Sequence, residues 1–297
     1  MIAKDFNLKY TVESAQPLTF FGDYSAEGSY EKLSYVTQHG MLNIAAKSLG
    51  ADNSSEISCN SYGDYSDNEA WSEARKRLSL GDDIRKIYSR IGTDSFMHSA
   101  ISGFYGMRIT ENDPWETALC FVVSQFNNVK RIRFIMKRLI GRFGDEEELN
   151  GKRVRLFPSA KRLSAAKVNE IFSCGTGFRA RYIRSAALAF SDESFASSLY
   201  GMKYADAKVE LTKIKGIGEK VADCILLMGY KKLEAFPVDT WVERTMKKVY
   251  GSDMQKTKSG NITMKEIRSF ASAKWNGYAG YAQQYLYWYG REHVGRA

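Results

Sequence analysis

Near residue 69 the apolar residues of this chain change their spacing, and that change constrains the fold more than any other feature. Before it, residues 33–37 (LSYVT), 41–47 (MLNIAAK) and 56–62 (EISCNSY) are short and partly alternating, the pattern of half-buried strands. Turn signals separate them: Gly28-Ser29, His39-Gly40 and Gly50-Ala51-Asp52-Asn53. After a polar connector over 62–69, the period becomes helical in WSEARKRLSL, DDIRKIYSRIG, WETALCFVVSQF, VKRIRFIMKRLIGRFG, ARYIRSAALAF, YADAKVELTKI, EKVADCILLMGY and TWVERTMKKVYG. Asp113-Pro114 predicts a helix start with Pro at the first helical position. Gly141, Gly144, Gly229 and Gly251 fall where C-terminal stops are expected. Strands followed by helices predict a segregated α+β fold: a small antiparallel β-rich domain over 1–68 and an all-helical domain over 69–297.

Composition removes several classes. Hydrophobic residues make up 44% and charged residues 26% of the 297, which supports a packed core and argues against disorder. Lys and Arg outnumber Asp and Glu by 43 to 34, a formal charge of +9 that suits a polyanionic partner without requiring one. Cys59, Cys120, Cys174 and Cys224 lie far apart with no C-x-x-C, and His39, His98 and His293 make no pair at ligand spacing, so no metal centre is expected. The cysteine pattern fits a reducing cytoplasm. Residues 1–10 lack the apolar segment of a signal peptide, and no run of 18 apolar residues predicts a membrane span.

The sharpest local motif is LTKIKGIGEKVADCI, residues 211–225. The spacing predicts a helix ending at Ile214, a turn over 215–218, and a new helix from about Glu219. Gly216 and Gly218 permit a tight turn that brings backbone N–H groups to the surface at a helix N-terminus, where the dipole favours an anion. Leu211, Ile214, Ile217, Val221 and Ile225 give the turn an apolar frame. This is the helix-hairpin-helix pattern, which grips a phosphate without reading sequence. An ordinary helical corner shares its G-x-G but has no need of the frame.

Lys220 lies in the first turn of the second helix, where its charge opposes the dipole. That position and partial burial predict a lowered pKa and a nucleophilic amine able to form a Schiff base. A surface lysine touching a phosphate is the plainer alternative. Nineteen residues on, AFPVDTWVERTM (235–246) places Asp239 before a helical run, as an N-cap beside a Thr240-x-x-Glu243 capping box. A capping carboxylate is held rigidly, as stabilising a transient cation requires.

GIGEKVADCILLMGY followed by AFPVDTWV resembles the helix-hairpin-helix, Gly/Pro-rich loop and aspartate signature of base-excision DNA glycosylases. With lysine at 220, it is similar to the 8-oxoguanine DNA glycosylase/AP lyase branch. Residues 112–132 (NDPWETALCFVVSQFNNVKRI), 175–183 (GTGFRARYI) and 277–287 (GYAGYAQQYLY) resemble further segments of that family in the same order, and FNLKYTVESAQPLTF is a looser match.

The resemblance implies an enzyme that extrudes a damaged base from double-stranded DNA at a cost of a few kcal/mol of unstacking. Lys220 would attack the sugar C1′ and Asp239 would stabilise the developing cation, with β-elimination nicking the strand and no cofactor or metal needed. Cys224 and Tyr287, where a phenylalanine is common, would cover the two faces of the base, and Gln283 would bond its Watson–Crick edge. Ala15 stands where the family uses a glycine whose carbonyl accepts from the N7–H of 8-oxoguanine; that carbonyl survives a methyl group, whereas the close approach depends on it. Phe178 would support the kinked duplex as a wedge. Arg179 and Arg131 match arginines that bond the orphaned cytosine, although Arg131 also lies on a basic helix face suited to phosphates. Either Phe126 or Asn127 would fill the gap left by the base. Trp241 replaces a phosphate-contacting histidine, and Gly216 and Gly218 carry the hairpin contact.

The expected function is therefore that of a monomeric, bifunctional 8-oxoguanine glycosylase/AP lyase without a membrane partner. A monofunctional alkylated-base (3-methyladenine type) glycosylase on the same fold is the alternative; such enzymes lack the lysine. A non-catalytic DNA-binding module would leave Asp239 and Gln283 unexplained.

Overall fold

The alternating stretches near the N-terminus pair into a sheet, and the helical ones build a body against it. The computed structural model of the protein describes residues 1–50, 53–149, 151–258 and 260–294. Strands β1 (Ile2–Ala3), β2 (Asp23–Glu27), β3 (Tyr30–Val36), β4 (Gly40–Ser48) and β5 (Ser55–Gly63) form an antiparallel sheet in the order β1-β5-β4-β3-β2. The period of two puts Leu33, Tyr35, Leu42, Ile44, Ala46 and Ile57 on one buried face, with Ile44 opposite Leu33 and Cys59 in the ladder. Of the turn expected over 50–53, Ala51 and Asp52 lie outside the described residues.

Two short helices, α1 (Leu8–Val12) and α2 (Pro17–Phe21), interrupt the β-rich segment between β1 and β2. Helix α3 (Asp67–Arg77) follows β5, and its Ala70 and Ala74 join Leu78 in the sheet's apolar cluster. The sheet therefore shares its core with the helix that spans residue 68. The helical body continues with α4 (Ile84–Ile91), α5 (Ser95–Gly103), α6 (Pro114–Ser124) and α7 (Val129–Phe143). It is completed by α8 (Ala160–Ala165), α9 (Val168–Ile171), α10 (Arg179–Phe190), α11 (Glu193–Gly201), α12 (Tyr204–Thr212), α13 (Glu219–Gly229), α14 (Thr240–Tyr250), α15 (Met264–Lys274) and α16 (Ala279–His293).

The expectation of an all-helical region after residue 69 needs correction. A hairpin of β6 (Glu146–Leu149) and β7 (Lys152–Arg155) sits between α7 and α8. Its charged strands hide any alternation, and Glu146 pairs across it with Arg153 at 3.6 Å and Arg155 at 2.5 Å. Gly141 lies inside α7 instead of ending it, while Gly144 is that helix's C-cap.

Helices α6 and α13 form the centre of the body. Asp113 caps α6 by accepting from the amides of Trp115 (2.8 Å) and Glu116 (3.0 Å), and the helix is buried from Pro114 to Val123. Where α3 meets α6, the buried Arg77 donates to Glu116 at 2.5 Å and to Glu73, under the ring of Tyr35. Burial pushes the Glu116 carboxyl up to about 7, against the pull of Arg77.

Candidate active site

The hairpin forms as its glycines dictate. Helix α12 ends at Thr212, two residues before the predicted end, and α13 begins at Glu219. Gly216 takes φ +96°, and a Cβ there would fall 2.3 Å from Cγ of Tyr182. Gly218 is different: it is the N-cap of α13 at φ −89°, with nothing within 4 Å of an added Cβ. The first glycine makes the turn, and the second keeps the space above the helix N-terminus open. Leu211, Ile217, Val221 and Ile225 are buried beneath it, with Ile214 half-buried. Asp223, also buried, accepts from Tyr204 Oη at 2.6 Å and pairs with Lys208 at 2.8 Å, fixing α12 against α13.

In the first turn of α13, the half-buried Lys220 enters a cavity of ≈ 290 Å³. Asp239, Cys224, Gln283, Tyr287, Ala15, Asn127 and Trp241 line the same cavity. Residues from five separate stretches of sequence thus meet at one place. The Lys220 ammonium lies 5.1 Å from the centroid of the Phe121 ring. Burial works against its charge, but Cys224, Asp239 and Tyr287 outweigh burial and hold its pKa above the ordinary lysine value. This corrects the expectation of a lowered pKa: the groups that face the amine, Cys224 and Asp239 foremost, outweigh its burial. Burial pushes the Cys224 thiol up to about 11, which keeps it neutral.

Asp239 is the N-cap of α14, its Oδ1 accepting from the Val242 amide at 2.8 Å. The Thr240-x-x-Glu243 box does not form, because Thr240 is already helical and Glu243 pairs with Lys247. Gln283 is 6% exposed on α16, and its Oε1 is buried without a hydrogen-bond partner. An unpaired buried acceptor is costly unless something else comes to it. Tyr287 Oη, one turn on, accepts from Arg291 at 3.1 Å. Ala15 holds φ +56°, a strained backbone for a residue with a Cβ. Neighbouring bonds impose it: Ser14 O accepts from Gln284 at 2.5 Å, while Gln16 donates to Arg108 O at 2.8 Å and accepts from the Thr110 amide at 2.8 Å.

Outside the cavity, the loop between α6 and α7 presents Phe126 at 93% exposure, with the 52%-exposed Phe178 ring 6.3 Å away. Gln125 ties this loop to the hairpin by donating to Gly216 O at 3.0 Å. Asn127 donates to Val123 O at 3.1 Å, and Trp241 lies 5.4 Å beneath the Arg244 guanidinium. Arg131 is exposed on the first turn of α7. Arg179 departs from expectation. It is 5% exposed, and its guanidinium donates to the carbonyls of Gln125, Phe126 and Thr176 instead of reaching outward. Sequence reasoning passed over Phe121, Gln125 and Arg291; only folding brings them to the site.

Among the described residues, no group of three or more His, Cys, Asp or Glu could hold a metal ion, and no helix is long and apolar enough to cross a membrane.

Comparison with known proteins places this geometry. Residues 119–271, just over half of the chain, match the family model described as HhH-GPD superfamily base excision DNA repair protein. A probable N-glycosylase/DNA lyase of Methanothermobacter thermautotrophicus is 29% identical over 225 residues, covering 69% of this chain and 70% of that protein. The structure of MBOgg1 in complex with a low-affinity DNA ligand superposes with a TM-score of 0.83 at 31% identity, over 99% of this chain and 96% of that one. The Clostridium acetobutylicum 8-oxoguanine glycosylase/lyase, solved with double-stranded DNA containing cytosine opposite 8-oxoG, gives 0.82 at 25% identity, over 98% and 93%.

Proposed function

This chain belongs to the HhH-GPD superfamily of base excision DNA repair proteins, and from that premise we propose that it is a bifunctional glycosylase/AP lyase that removes 8-oxoguanine from duplex DNA. The observation that carries the reading is the meeting of Lys220 and Asp239 in one cavity with the unpaired Oε1 of Gln283.

The amine must first lose a proton, since its neighbours hold it charged. Neutral Lys220 then attacks C1′, the C1′–N bond breaks, and its electron pair leaves with the base, which takes up a proton. The adduct opens to an iminium, loses a C2′ proton, and expels the 3′ phosphate. Asp239, fixed by its cap bond, faces the positive charge that builds on the sugar. Cys224, neutral and buried, offers a flat apolar contact to one face of the extruded base and Tyr287 to the other. Gln283 and the carbonyl of Ala15 supply its polar contacts. The hairpin at Gly216 and Gly218, with Arg131 and the exposed Phe126 and Phe178, holds the duplex.

The test is borohydride trapping with a duplex carrying 8-oxoguanine opposite cytosine. A covalent adduct is expected, and it disappears in Lys220→Gln. Base release without trapping would instead indicate the monofunctional alkylated-base enzyme.

A further inference from the structure

A second cavity, of ≈ 660 Å³, opens between α7, the sheet and the hairpin of β6 and β7, a size ordinary for a small-molecule site. It is not the one that Lys220 enters, although the ring of Phe20 lines both. We propose that this second cavity binds a nucleotide, the base against its apolar wall and the phosphate at its cationic rim. Such binding is independent of the excision chemistry. The wall is apolar and only partly covered: Phe21, Val36, Met41, Ile140 and Val154 line it and are half-buried. An apolar patch with a polar rim marks a binding groove. On the α7 side stands Phe134, 57% exposed, with the Arg138 guanidinium 5.4 Å from its centroid. An open phenyl ring is a surface on which a base can stack.

The rim is one-sided in charge. Arg133, Lys137, Arg153 and Arg155 line the cavity against a single carboxylate, that of Asp23. Two of these cations are held in place by the protein. Arg133 donates to Thr19 O at 2.7 Å and Gly22 O at 2.9 Å and pairs with Asp23 at 3.3 Å, while Arg155 pairs with Glu146 at 2.5 Å and donates to Gly144 O at 3.2 Å. The other two are available to a ligand. Lys137 is exposed and has no ion-pair partner among the described residues, and Arg153, 82% exposed, reaches Glu146 only at 3.6 Å. The fixed arginines set a positive field, and Lys137 and Arg153 can close on an anion that enters it. A lone cation would serve a fatty carboxylate; guanidinium forks beside an open ring suit a phosphate joined to a flat base.

Isothermal titration calorimetry of the whole chain with deoxyadenosine monophosphate tests this. Saturable binding is expected, weakened by added salt, with deoxyadenosine about tenfold weaker or more for want of the phosphate. Phe134→Ala should weaken nucleotide binding about 5- to 150-fold, the worth of one base–aromatic stack, and Lys137→Glu about tenfold. Both side chains are exposed, and unchanged melting curves in the variants assign the losses to the site. A dissociation constant above about 1 mM, an affinity that neither variant alters, or tighter binding of dodecyl phosphate than of the nucleotide overturns the proposal. A free mononucleotide and an unpaired nucleotide at a strand end carry the same chemistry. Displacement of the mononucleotide by a duplex with a single-stranded overhang, but not by a blunt one, makes the strand the source; displacement by neither makes it the free nucleotide. Equal displacement by the blunt duplex would put the nucleotide on the duplex-binding face and refute the assignment.

Discussion

Replacing each hairpin glycine by alanine should separate folding from DNA binding. At Gly216 the backbone is left-handed, and a methyl group would lie 2.3 Å from the Tyr182 ring. The backbone term is about 1–2 kcal/mol and the overpacking about 1–3 kcal/mol, so Gly216→Ala should lose about 2–5 kcal/mol of stability. At roughly 2–4 °C per kcal/mol, the melting temperature falls by about 4–20 °C. At Gly218, φ is −89° and the space is open, so alanine forfeits only the N-cap preference, about 0.5–1 kcal/mol. That open space is where a phosphate oxygen would approach the α13 amides, and a methyl group obstructs it. Calorimetry should therefore find Gly218→Ala close to the parent, while fluorescence anisotropy finds duplex affinity about tenfold lower with the salt slope little changed, since no cation is removed. Parental affinity in Gly218→Ala would remove the hairpin from the DNA-gripping surface.

Other predictions concern the cavity and the core. Because Lys220 is held above its ordinary pKa and reacts only when neutral, kcat/KM should still be rising above pH 8; Asp239→Asn should move that limb to lower pH while cutting the maximal rate about 100-fold, and an unmoved limb would mean the carboxylate does not hold the proton. Gln283→Ala removes a buried acceptor that has no partner, so melting should stay level or rise by about 1 kcal/mol in stability while excision falls; a large loss of stability would make Gln283 structural. For Glu116 the folded pKa, about 7, lies above the unfolded value of about 4.3, so the folded state binds the extra proton between them. Stability should decline as pH rises from about 5 to 7, and Glu116→Gln should flatten that slope even though it lowers stability overall, which melting curves across the range would reveal.

The long helices were legible because their apolar period and their caps agree: Asp113-Pro114 opens α6 as the sequence suggests, and α7, α13 and α14 follow their patterns. The five-residue α1 and α2 were not, since so short a stretch holds little more than one turn of periodicity. The hairpin of β6 and β7 was hidden by its charges, which hold it together only once paired. For the site, residue type and resemblance named the cavity-lining side chains, yet they could not rank the forces on Lys220. Nor could they show that Arg179 turns inward, because an arginine facing carbonyls and one facing solvent are the same letter. Phe126 is the same kind of case, its left-handed backbone being imposed by partners distant in sequence.

The cavity wall also crosses the limits of the family match. Lys220 and Asp239 lie within residues 119–271, whereas Ala15, Gln283 and Tyr287 lie outside it. The proposed reactive pair and Cys224 thus share one part of the chain, while three other residues of the cavity wall come from its flanks. Substitutions in those flanks can therefore reshape the cavity wall without altering the proposed reactive pair.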